Sequence, residues 1–168
     1  MDIVLLDKAS IKLKTRNATF VINPTSVIPK TEASASLSFE GKPDTSKIEG
    51  SRVSISAPGE YEISGIKITG IRSNGKTVYL VDGDGLKLLF GKFSSLESLE
   101  NFPEIHIGVF DVDTFKDNVL VKIEPRVTLL YGEARDTALK ELGKNEKISK
   151  YSITLEKLPE ENQVIGLN

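Results

Sequence analysis

One histidine and a few spaced carboxylates are the side chains in this sequence with the clearest chemical potential. His106 stands between Ile105 and Ile107 in a segment that reads as a strand, so alternation turns it away from the face those isoleucines share. A single histidine cannot build a multi-histidine zinc site. The chain has no cysteine, which excludes thiolate zinc sites, iron–sulfur clusters, disulfides and a cysteine nucleophile. A general-base role stays open for His106, but no serine or aspartate is tied to it by a recognisable motif, and one satisfying partner is the simpler expectation. Carboxylates are the remaining metal ligands. Asp82 and Asp84 share one strand parity, as do Asp111 and Asp113, and oxygen-only clusters suit Mg²⁺, Ca²⁺ or Mn²⁺. The glycines that interleave Asp82 and Asp84 read first as a hairpin turn, and Asp113 falls where a helix can begin. Gly83-x-Gly85 is too short for a phosphate-binding fingerprint, and no catalytic triad, kinase set or Walker motif is present.

The elements that must position these residues are mostly strands. Ile3 to Leu6 is a short apolar run, and Ile11 to Arg16 alternates apolar and basic residues at the period of a half-buried strand. A turn at Arg16-Asn17 leads into Ala18 to Ile22, a hairpin that Asn23-Pro24 ends. Lys12, Lys14 and Arg16 form a basic strip, expected as a solvated face guarding an edge strand. Thr31 to Ser46 loses periodicity and reads as a weak strand with a loop or as a partly mobile segment. Arg52 to Ser56 is strand-like. Tyr61 to Ile63 and Ile66 to Ile68 alternate with opposite parity, which places a turn or bulge at Ser64-Gly65. Val78 to Val81 and Leu86 to Phe90 flank a strong hairpin signal at Asp82 to Gly85. Ile105 to Phe110, Val127 to Tyr131, Tyr151 to Leu155 and Gln163 to Leu167 add strands. Three helices are predicted. A capping box at Ser94-x-x-Glu97 precedes Leu96, Leu99 and Phe102, Thr114 caps a face of Phe115, Val119 and Ile123, and Asp136 caps one ending at Gly143. Many strands with helices interspersed late point to an α/β sandwich.

Length and charge bound the reading further. At 168 residues the chain suits one domain, residues 1–168, with a self-supporting core. A net charge of −2 and the lack of a basic run give no reason to expect nucleic acid. No apolar run approaches the ~18 residues that span a membrane, and Met1-Asp2 opens no basic signal-peptide region. A cytoplasmic location is therefore expected, and the acceptor pattern Asn17-Ala18-Thr19 is discounted.

One segment carries a family likeness. Ala57-Pro58-Gly59-Glu60-Tyr61-Glu62-Ile63, followed by Gly65-Ile66-Lys67-Ile68-Thr69-Gly70-Ile71, resembles the metallo-β-lactamase superfamily. The match is to the branch of zinc-dependent hydrolases related to the L-ascorbate-6-phosphate lactonases, which carry a (G/A)PGEYE segment and then a GxxIxGI strand. Similarity continues through Thr77 to Val81, Gly85 to Leu89, Ile123-Glu124-Pro125-Arg126-Val127 and Leu158-Pro159-Glu160-Glu161, and Leu5 to Leu13 is similar to the family's opening strand. The resemblance implies a strand-rich, truncated αββα sandwich and, as that branch is often oligomeric, a homo-oligomer or a protein partner.

The same resemblance implies that the metal ligands are gone. Asp7-Lys8-Ala9-Ser10 stands where the family reads GHAS, and residues 37–46, where an HxHxDH segment belongs, hold no histidine. Lys92 falls at the metal-bridging aspartate of LGDL, and Gly132 at the late histidine of MHYK. An ammonium at Lys92 can neutralise leftover acids, and without zinc the family's hydroxide nucleophile has no source. The expectation is a metal-free, cofactor-free, non-catalytic relative with a binding, regulatory or subunit role. Its vacated cleft would hold a small anionic ligand through Lys8, Lys42 and Lys92, with Asp111, Asp113 and Glu133 nearby. The alternative is a residual phosphodiesterase- or lactonase-type hydrolase using Asp82, Asp84, Asp111, Asp113, Glu133 and His106, with Lys92 as electrophile.

Overall fold

The computed structural model describes residues 1–168 and stacks two β-sheets face to face. Strands β1 (Asp2–Leu5), β2 (Ile11–Lys14) and β3 (Thr19–Ile22) form an antiparallel meander. Four short strands follow: β4 (Thr31–Glu32), β5 (Ala35–Leu37), β6 (Ile48–Glu49) and β7 (Ser54–Ile55). Next come four longer antiparallel strands, β8 (Gly59–Ile63), β9 (Ile66–Ser73), β10 (Lys76–Gly83) and β11 (Leu86–Lys92). The C-terminal part alternates helix α1 (Phe93–Leu96), β12 (Ile107–Asp111), α2 (Asp117–Ile123), β13 (Val127–Tyr131) and α3 (Arg135–Glu141) before β14 (Lys147–Ile148), β15 (Lys150–Ser152) and β16 (Gln163–Leu167). The first sheet has the order β15-β1-β2-β3-β5-β7 and the second β14-β16-β13-β12-β11-β10-β9-β8, with β4 and β6 paired apart.

Local chemistry explains the hairpins. Ser64-Gly65, Asn74-Gly75 and Asp84-Gly85 each place two successive residues at positive φ, between 48° and 79°. That is the type I′ geometry whose twist matches the flanking strands, and glycine takes its second position without steric cost. The parity switch at Ser64-Gly65 is thus a turn. The weakly patterned stretch at 31–46 contains β5, whose Ala35, Ser36 and Leu37 are all buried, and it pairs in parallel with β3 and β7. Burial on both faces removes the alternation by which a strand is recognised in sequence.

Two cores lie on either side of the second sheet. The larger, 25 residues, fills the space between the sheets with Ile11, Leu13, Phe20, Tyr79, Phe90 and Val109 among its members. The smaller, 12 residues, sits under the helices and takes Phe93, Leu96, Val119, Ile123, Ala138 and Leu139 from them. All three helices cover the second sheet. The first sheet carries only a small cluster of Val21, Ile28 and Ala33 on its outer side, so the sandwich is strand-rich and its truncation falls there. No helix is long and apolar enough to cross a membrane.

Several local expectations are corrected. β2 lies between β1 and β3, so the Lys12–Lys14 strip is an outer face and guards no edge. The capping box at Ser94 does not form: α1 starts at Phe93 and stops at Leu96, and the Ser94 hydroxyl donates to Asp113 instead. Helix α2 begins at Asp117, not after Thr114, and α3 takes Ala134 as its N-cap while Asp136 pairs with Arg135 and Lys147.

Tyr79 shows how the sheets are tied. Its hydroxyl donates from β10 to the carbonyls of Ser38 (2.7 Å) and Ile55 (3.2 Å), which belong to the first sheet and its margin. Burial, the largest cause, raises its pKa to about 12, so it stays a donor throughout the useful pH range. Tyr79→Phe leaves two buried acceptors short of a donor, and urea unfolding is expected to show a loss of about 1–2 kcal/mol.

Candidate functional site

β11, β12 and β13 run parallel, and their last residues stand in one row: Lys92 is in register with Asp111, and Asp111 with Tyr131. Alternation decides which way the row faces. Phe90, Val109 and Leu129, two residues earlier on each strand, belong to the core between the sheets, so Lys92, Asp111 and Tyr131 are directed toward the first sheet. The carboxyl ends of parallel strands are where open sheets commonly build sites, because the strands diverge there into loops. Opposite them the turn after β1 brings Asp7 and Lys8.

Each of these groups is in a different electrostatic state. Asp111 is 8% exposed, and burial pushes its carboxyl up to about 6. The Lys92 ammonium, 4.0 Å from Oδ2, opposes that rise, while Asp113 and Glu133 add to it. The Tyr131 hydroxyl is fully buried and has no hydrogen-bond partner. Burial, and then the neighbouring charges of Asp111 and Asp7, push its pKa well above the usual phenol value. Asp7 differs. Burial pushes it up, but bonds donated by the Thr25 hydroxyl (2.5 Å) and by the backbone N–H groups of Ala9 (2.7 Å) and Ser10 (2.6 Å) outweigh it, so its pKa lies below the carboxylate range.

Gly132, at φ +93°, completes the floor. A Cβ there would collide with the Asp111 carboxylate and would lie 3.0 Å from the Val112 nitrogen. Asp111 therefore fills the space that any side chain at position 132 would need. Above it opens a cleft of about 670 Å³ lined by Leu5, Leu6, Asp7, Lys8, Gly132 and Glu133. Arg135 closes one wall but is committed, donating to the Leu167 carbonyl (2.5 Å) and to Asp136 (2.8 Å).

The residues expected from sequence are dispersed over three places. Lys8 and Glu133 line this cleft, and Lys92 and Asp111 adjoin it through Gly132. Asp113 turns away, accepting from the Ser94 N–H (3.0 Å) and hydroxyl (2.5 Å), and Lys42 is exposed on a separate loop. Burial raises Asp113, but these bonds prevail and its pKa is lowered. Asp82, Asp84 and His106 lie at the opposite end of the sheet. Asp82 pairs in register with Lys87, whose N–H donates to His106 Nδ1 (2.9 Å), and Asp84 accepts from the Arg16 N–H (3.0 Å). Sequence reasoning did not single out Tyr131, whose place beside Asp111 is set by strand register alone.

No family model and no curated protein matches the chain in sequence. Solved structures do match in shape. A candidate zinc-dependent hydrolase of the metallo-β-lactamase superfamily from Thermotoga maritima superposes with a TM-score of 0.79 at 19% identity, over 99% of this chain and 98% of that one. The metallo-β-lactamase fold protein YhfI from Bacillus subtilis gives 0.61 at 6% identity, over 98% and 95%. A candidate metal-dependent hydrolase from Parabacteroides distasonis gives 0.53 at 17%, over 85% and 90%. The fold is that of the metallo-β-lactamases.

At these identities the likeness is one of architecture, and function must be argued from the site. The zinc centre that this fold implies does not fit the residues present. No three His, Asp or Glu side chains come together as a metal-holding group. Asp7 is saturated by protein donors, Asp113 is turned away, and an ammonium stands beside Asp111. Zinc needs three or four N, O or S ligands with free lone pairs, and this donor set cannot supply them.

Proposed function

We propose that this metallo-β-lactamase-fold chain is metal-free and non-catalytic, and acts as a binding, regulatory or subunit protein. The observation that carries the reading is the row Lys92–Asp111–Tyr131 over Gly132. A fixed cation sits next to the one deeply buried acid, and the position where the resemblance places a histidine is a glycine whose missing side-chain volume that acid occupies. Such a centre is neutralised from within and needs no dication. The subunit role takes a second copy or another protein as partner. β7 and β8 close their sheets with unpaired backbone edges, the usual handle for strand addition.

Elemental mass spectrometry tests the reading. After soaking in Zn²⁺ or Mn²⁺ and desalting, the full chain is expected to retain less than about a tenth of an equivalent of metal. Stoichiometric metal, together with phosphodiesterase or lactonase turnover that a chelator abolishes, would support the hydrolase alternative and overturn this one.

A further inference from the structure

The ion pairs of this protein differ in an unexpected direction. Exposed pairs are tight: Lys116–Glu97 and Lys150–Asp2 close to 2.8 Å and Lys147–Asp136 to 2.9 Å. The one pair placed deep at the site, Lys92–Asp111, stands off at 4.0 Å. A buried pair offsets its desolvation only with close geometry and supporting hydrogen bonds, and Asp111 accepts none. The adjacent Tyr131 hydroxyl, fully buried, has no partner either. Three polar groups in one row thus leave a slot that an amphoteric group would fill, donating to the carboxylate and accepting from the ammonium and the phenol.

The cleft above the slot repeats that polarity. Lys8 and Glu133 line it with opposite charges and neither has an ion-pair partner, whereas Arg135 and Asp7 are spoken for by protein groups. Leu5 and Leu6 supply an apolar wall. A volume of about 670 Å³ lies within the size range of small-molecule sites. A simple anion would meet Asp111 and Glu133, and a simple cation would meet Lys8 and Lys92. A molecule carrying both charges satisfies all four.

We propose that the cleft binds a small zwitterion of the amino-acid class, its carboxylate on Lys92 and the Tyr131 hydroxyl, its ammonium between Asp111 and Glu133, and its side chain against Leu5 and Leu6. The proposal rests on the metal-free reading of the site, because a metal ion would occupy the same groups.

Calorimetric titration of the full chain with L-leucine tests it, with acetate and n-butylamine as the two half-ligands. Saturable binding of L-leucine, with neither half-ligand binding comparably, is expected. Tyr131→Phe keeps the ring and should weaken L-leucine about tenfold, and Asp111→Asn should weaken it at least as much. Unchanged near-ultraviolet circular dichroism in both variants shows that packing is intact. If acetate binds as well as L-leucine, the site is an anion site and the proposal fails. If L-leucine gives no heat, the slot holds an internal water only and the proposal fails as well. In a protein that also retains no metal, that result leaves the metal-free reading standing, whereas stoichiometric metal content removes both.

Discussion

Gly132→Ala is expected to cost about 3 kcal/mol, read as a fall of about 10 °C in melting temperature for a chain of this length. Two terms add. A residue with a Cβ at φ +93° sits in a region that costs roughly 1–2 kcal/mol. The new Cβ also runs into the Asp111 carboxylate and the Val112 backbone, and overpacking against groups that cannot retreat costs roughly another 1–3 kcal/mol. Gly143→Ala separates the terms, because Gly143 has φ +66° with nothing within 4 Å of its would-be Cβ. That control should lose only about 1 kcal/mol, the conformational part. Gly132→His, which restores the family's residue type, should be no less destabilising than alanine and should confer no metal retention. A well-tolerated Gly132→His that takes up zinc would show that the site is a displaced metal centre.

Lys92→Met is expected to make stability fall more steeply with pH. Asp111 titrates near 6 in the folded protein against 3.8 in an unperturbed chain. Between those values the folded state holds a proton that the unfolded state has released, so stability declines as pH rises from about 4 to about 6 and is flat above. At about 1.4 kcal/mol per unit, that penalty is about 3 kcal/mol at neutral pH. Lys92 is the cation that limits it. Removing its charge pushes the Asp111 pKa higher, deepens the penalty and extends the window above pH 6. Because Lys92 is partly exposed and 4.0 Å away, the extra loss at pH 8 should be about 2 kcal/mol, and it should vanish near pH 4. Asp111→Asn should abolish the same window. Urea unfolding of wild type and both variants at pH 4, 6 and 8 measures the difference directly. The depressed carboxyls Asp2, Asp7 and Asp113 act in the opposite sense, contributing stability that is lost as pH falls through their folded pKa values. They are common to all three proteins and cancel in the comparison.

The candidate site was legible in part. Lys92 and Asp111 were both singled out from sequence, the first by resemblance to a metal-bridging position and the second by parity with Asp113. Their pairing was not, because it depends on the parallel register of β11 against β12. The parity argument that joined Asp111 to Asp113 failed for a local reason. β12 ends at Asp111, and beyond a strand's end alternation no longer governs direction, so Asp113 turned to Ser94 and the backbone there. The same carboxylate took the serine hydroxyl that a capping box required. Asp82 and Asp84 were legible as a turn from their glycines alone.

What the sequence by itself determined were features set by neighbours along the chain. Hairpins at Ser64-Gly65 and Asp84-Gly85, alternating strands, the absence of thiol and multi-histidine chemistry and the αββα class with its truncation all follow from residue type and short-range spacing. The tertiary structure alone decided what depends on distant segments meeting. The parallel row of Lys92, Asp111 and Tyr131 joins residues 39 positions apart, from 92 to 131, through a register that side-chain alternation does not specify. Burial of that row, which raises the Asp111 pKa and orphans the Tyr131 hydroxyl, exists only once the first sheet has closed over the second. Electrostatic state is a property of surroundings, and surroundings are what folding adds to a sequence.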